Sequence, residues 1–121
     1  MVVATDAPLR AEGLRRVARR GMLGLARTGG TSSHGSGDYV IAFSTARAAR
    51  SWHRSQTDIE GGHDLRIDRL SPIFEATIEA TEEAIYNSLF KAVTVTSNGR
   101  TVEALPIEET VEILRRYGAI R

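Results

Sequence analysis

A helical pattern that carries its own breakers sets the tightest limit on this fold. From Arg10 to Ala26, Leu14, Val17, Ala18, Gly21 and Leu25 recur at helical spacing, with Arg15, Arg16, Arg19 and Arg20 on the opposite face. Gly13, Gly21 and Gly24 fall inside this stretch, and each weakens an isolated helix by about 1 kcal/mol relative to Ala. Such a helix makes sense where another element approaches closely. The rest of the chain repeats the theme, for Ala supplies 15 of its hydrophobic residues and 11 Gly come on top. Small side chains bury little area each, so the core is thin unless helices pack very closely or another chain supplies bulk. This hints at a domain completed by a partner.

At 121 residues the chain has room for one core, so it reads as a single domain over 1–121, with an exposed Arg-rich connection over 46–62. Val, Ile, Leu and Phe number 29 against a net charge of +1, which excludes a disordered segment. No apolar run is long enough for a transmembrane helix, and Met1 to Leu9 has no secretory-signal pattern. Without Cys there are no disulfides, thiolate metal sites or Cys nucleophile. Charge is uneven: residues 1–54 carry nine Arg and three acids (+6), and residues 55–121 seven cations and twelve acids (−5).

The element order expected is β-α-β-(β)-α-α, hence α/β layers. Val2 to Thr5 reads as an opening strand closed by Asp6-Ala7-Pro8, and Tyr39 to Ser44 as a buried strand. Leu65 and Ile67 alternate with Arg66 and Asp68, as in a short edge strand. Ser71-Pro72 opens the longest helix, with a stripe of Phe74, Ile78, Thr81, Ile85 and Leu89 beside a small-residue seam of Ala80, Ala84 and Ser88. Asn98-Gly99 marks a turn. Pro106 to Tyr117 forms a last helix, acidic at its start, basic at its end and followed by Gly118.

Chemistry is sought first in the Gly-, Ser- and Thr-rich loop from Arg27 to Asp38. It is no Walker loop, because the one Lys is Lys91, and Gly35-Ser36-Gly37 leads into a strand where a dinucleotide fingerprint opens a helix. Alternation along the chain puts Ser36 and Asp38 on one side, separated by a Gly that clears space. A hydroxyl beside a carboxylate can relay a proton toward a third group, or the two can simply satisfy the loop's backbone. His34, His53 and His63 have no metal-ligand spacing, and Trp52 reads as a surface anchor. The Arg15 to Arg20 face suits phosphates or, more blandly, solvent or ion pairs. Glu79, Glu82 and Glu83 read as a solvated face.

Five collinear blocks carry a resemblance: Val3 to Leu9, Gly24 to Gly30, Ser33 to Ser44, Glu79 to Leu89 and Thr101 to Pro106. They resemble the L-aminopeptidase/D-amidase-esterase family, the β-aminopeptidases, and the match lapses only between Arg47 and Gly62. The resemblance implies half of a four-layer αββα sandwich like that of N-terminal-nucleophile hydrolases and ornithine acetyltransferase. It implies the smaller C-terminal β chain of a precursor that cuts itself before a nucleophilic Ser, with the larger α chain as partner. By the family pattern that Ser belongs a few residues ahead of Val2, so this sequence is expected to begin late. Ser36 and Asp38 map onto the family's assisting Ser and acidic residue, whose place some members fill with Glu.

The expectation is therefore an aminopeptidase-like serine hydrolase acting on short peptides, amides or esters. It needs no metal or cofactor, assembles as a homo-oligomer of αβ units, and has no membrane or nucleic-acid partner. The compartment expected is the cytoplasm, or the periplasm should the precursor carry a signal peptide. Two rival readings are a non-catalytic assembly module and a nucleic-acid binder working through the Arg15 to Arg20 face.

Overall fold

The computed structural model describes residues 1–50 and 64–121. Four strands and three helices run in the order β1 (Val2–Thr5), α1 (Ala11–Arg27), β2 (Ile41–Ser44), α2 (Ser71–Phe90), β3 (Val95–Ser97), β4 (Arg100–Val102) and α3 (Ile107–Arg116). The chain divides into two compact units, Met1–Glu82 and Glu83–Arg121.

In the first unit β1 and β2 pair in parallel, with Val2 opposite Ile41, Val3 opposite Ala42, Ala4 opposite Phe43 and Thr5 opposite Ser44. Parallel strands need a crossover, and α1 supplies it. Leu9, Val17 and Leu70 are fully buried, with Val3, Leu14, Ala42, Ile73 and Phe74 packed around them. The glycines of α1 behave as the sequence demands. A Cβ on Gly21 would stand 3.1 Å from a Val40 methyl, and one on Gly24 would stand 2.6 Å from Thr81 Cβ and 2.7 Å from the Ile78 carbonyl oxygen. Thr77 and Thr81 are buried on that contact face, and their hydroxyls donate to the Ile73 and Thr77 carbonyls at 2.6 and 2.7 Å. The intimate face of α2 is thus Thr77, Ile78 and Thr81. The predicted seam of Ala80, Ala84 and Ser88 is exposed.

Three expectations change in this unit. The strand read as buried is covered on one face only: Ala42 packs on the core, while Ile41 and Phe43 are exposed beside Val2. Tyr39 and Val40 lie ahead of β2, so that strand is shorter than the apolar run. The segment Leu65 to Ile67 is no edge strand. The Leu65 N–H donates to the Pro8 carbonyl at 2.9 Å, and a 3₁₀ turn over Ile67–Arg69 delivers Leu70 into the core. Burial of Leu65 and Leu70 outweighs the local alternation. Residues 47–49 make another 3₁₀ turn, and most of the predicted 46–62 connection lies outside the described residues.

In the second unit β3 and β4 form an antiparallel hairpin around Asn98-Gly99. Both turn residues have positive φ, 49° and 72°, as the two-residue turn favoured by strand twist requires. Helix α3 ends as predicted. Gly118 takes φ 67°, its N–H donates to the Arg115 carbonyl at 3.0 Å, and the Ala119 N–H donates to the Leu114 carbonyl at 2.9 Å. That is a Schellman motif.

Gly24→Ala is expected to destabilise the protein by about 1–3 kcal/mol, the range for overpacking a tight contact. Urea unfolding checks it, and an unchanged midpoint would contradict the close α1–α2 approach.

Candidate active site

Helix α1 delivers the loop that holds the candidate pair. It stops at Arg27, where the Gly29 and Gly30 N–H groups donate to the Ala26 and Leu25 carbonyls at 3.1 and 3.2 Å. The chain then turns at Ser33 to Ser36, closed by the Ser36 N–H donating to the Ser33 carbonyl at 2.9 Å. In the two residues that follow, the Ser36 hydroxyl donates to Asp38 Oδ2. Strand alternation was the sequence argument for this pairing, yet both residues precede β2 and meet through irregular backbone.

Direction matters chemically. A hydroxyl whose hydrogen points at a carboxylate keeps its lone pairs free to accept from another donor. Both residues are exposed, so such a donor has access. The parallel pairing sets where the opening strand stands. The Met1 amino group donates to the Tyr39 carbonyl at 2.8 Å, and the Ile41 N–H donates to the Met1 carbonyl at 3.0 Å. The start of β1 therefore lies against the residue that follows Asp38. Sequence reasoning missed this anchoring role of the Tyr39 backbone, and only the strand register reveals it.

The remaining candidates separate from this place. His34 sits exposed on the turn. His53, His63 and Trp52 lie outside the described residues. The arginine face of α1 is not a uniform solvated strip: Arg16 and Arg20 lie over the Phe74 ring, 5.2 and 4.0 Å from its centroid, and Arg15 pairs with Glu12 at 2.8 Å. Glu79 and Glu83 are exposed, whereas Glu82 pairs with Arg27 at 3.5 Å. Among the described residues no three His, Asp or Glu groups are placed to hold a metal ion, and no helix is long and apolar enough to cross a membrane.

Comparison with known proteins gives this arrangement its context. The model of Peptidase family S58 matches residues 1–102. The chain belongs to peptidase family S58. A β-peptidyl aminopeptidase of Sphingosinicella microcystinivorans is 42% identical over 123 residues, spanning 97% of this chain and 29% of that protein. A Pyrococcus horikoshii protein of known structure is 49% identical and superposes with a TM-score of 0.87, over 97% of this chain and 33% of the other. The L-aminopeptidase D-Ala-esterase/amidase of Ochrobactrum anthropi, a prototype serine aminopeptidase with a variant Ntn hydrolase fold, is 32% identical with a TM-score of 0.84 and the same coverage. The chain therefore spans about a third of the length of its S58 relatives. The fold class expected from the resemblance is the one that this neighbour has.

A double-mutant cycle between Arg20→Ala and Phe74→Leu, read by urea unfolding, is expected to give a coupling of about 0.5–1 kcal/mol. Coupling near zero would return Arg20 to the solvated face.

Proposed function

We propose that this chain is the C-terminal β chain of a self-processed, aminopeptidase-like serine hydrolase. Its partners would be the α chain of the same precursor and further αβ units in a homo-oligomer. Its substrate would be a short peptide or amide with a free N-terminus. The observation that supports this most is the hydroxyl–carboxylate pair of Ser36 and Asp38, exposed one residue from the Tyr39 carbonyl that holds the start of β1.

In the proposed mechanism the nucleophilic Ser stands a few residues ahead of Val2, on a backward continuation of β1. Its hydroxyl adds to the substrate carbonyl and gives up its proton. A freed α-amine, titrating near pKa ~7.7–8.0, and the Ser36 hydroxyl share that proton transfer. Ser36 accepts from the nucleophile while donating to Asp38, whose negative charge steadies the relay. The C–N bond then breaks, the departing amine takes the proton, and an acyl-ester remains on the Ser. Water adds to the ester carbonyl, the C–O bond breaks, and the free acid and the Ser hydroxyl return. No group outside these residues is required for that balance.

A second reading, a non-catalytic assembly module, draws on the exposed Val2, Ile41 and Phe43 side chains of the sheet. Supplying the chain with its α chain separates the two, since peptidase activity would reject the module.

In the full-length protein, Ser36→Ala and Asp38→Ala should each lower acyl transfer and self-cleavage by at least about 10²-fold, the lower range for positioned proton transfer. Steady-state turnover of an aminoacyl amide, with the fraction of precursor cut, reads both. Unchanged rates in both variants would remove the pair from the chemistry.

A further inference from the structure

Nine glycines lie among the described residues, and the structure explains eight of them in two ways. At Gly24 and Gly30 a Cβ would stand 2.6 and 2.8 Å from a neighbouring atom, and at Gly13 and Gly21 it would crowd a side-chain methyl at 3.2 and 3.1 Å, so packing favours glycine there. Gly29, Gly35, Gly99 and Gly118 take the left-handed backbone that side chains resist. Gly37 belongs to neither group. Its φ is outside the left-handed region, and apart from its chain neighbours Ser36 and Asp38 no atom of the described residues lies within 4 Å of where its Cβ would be. Neither conformation nor internal packing asks for glycine there.

Position fills the gap. Gly37 separates the two members of the hydrogen-bonded pair, Ser36 and Asp38. A glycine also suits a place where the backbone must approach a ligand closely. We propose that Gly37 is a specificity-determining position: its missing side chain leaves clearance beside Ser36 and Asp38 for the N-terminal residue of the substrate, whose acyl group the nucleophile receives. This rests on the aminopeptidase reading above and adds to it which position sets the size of the residue accepted. A methyl group here would narrow the space beside the pair, so its effect would grow with the bulk of the substrate residue.

The test uses the full-length protein with Gly37→Ala and Gly37→Val. The probes are the p-nitroanilides of glycine and of the largest residue the unsubstituted protein turns over. The expected result is a fall in the large-to-small ratio of kcat/KM of at least about tenfold in Gly37→Ala, as one methyl group is worth in a fitted pocket. The fall should be steeper in Gly37→Val, with the unfolding midpoint of Gly37→Ala unchanged. A ratio unchanged in Gly37→Ala overturns the proposal, whether activity is kept or lost evenly, because an even loss means that the residue acts through the geometry of Ser36 and Asp38. Ser36→Ala assayed alongside separates this inference from the one beneath it. Activity retained in Ser36→Ala defeats the aminopeptidase mechanism and the clearance role together. An inactive Ser36→Ala with an unchanged Gly37→Ala ratio removes only the clearance role.

Discussion

Four rungs of parallel pairing between β1 and β2 govern the first unit of this molecule. Because the strands run the same way, the chain must travel back between them, and α1 makes that journey. Its end is fixed by the Schellman motif at Thr28 to Gly30, and the loop beyond returns the chain to the strand's starting edge. The Ser36–Asp38 pair therefore arises at the same end of the sheet as the first residue of β1. Slipping the register by one residue would exchange the strand faces. It would set Val2 against the core in place of Val3 and move the start of β1 along the loop.

A thin core can hold this pairing because its helices approach at positions without side-chain bulk. Only Leu9, Val17 and Leu70 are wholly buried large residues in the described chain. Stability then leans on close contact, with Gly24 against Thr81 and Ile78 and Gly21 against Val40. The buried threonines of α2 suit this arrangement, because each bonds its hydroxyl to the carbonyl one turn earlier and presents a small face to α1. The outer face of the sheet is apolar and exposed at Val2, Ile41 and Phe43. Parallel sheets are ordinarily covered on both faces, and the S58 relatives are about three times the length of this chain.

Much of this was legible in the residues. The breakers in α1 announced a close approach, Asn98-Gly99 announced the turn of the hairpin, and Gly118 announced the end of α3. Spacing also brought Ser36 to Asp38, although irregular backbone ahead of β2 rather than a strand accomplishes it. Other features needed three dimensions. Small residues at Ala80, Ala84 and Ser88 and at Thr77 and Thr81 offer two rival seams on α2, and only the position of Gly24 selects between them. The Leu65 to Ile67 alternation imitates a strand, and long-range burial of Leu70 overrides it. Arg16 and Arg20 look solvated until Phe74, more than fifty residues later, arrives beneath them. The two halves differ in charge, yet among the described residues one ion pair, Arg27 with Glu82, is seen to join them.

The proposed mechanism requires an attacking hydroxyl at the head of the opening strand, close to Ser36 and Asp38. Intact-mass measurement and N-terminal sequencing of the purified full-length protein address it most directly. Two polypeptides are expected, the smaller starting with a serine a few residues ahead of Val2. A single uncut polypeptide, or a smaller chain that starts with another residue or at another place, would contradict it.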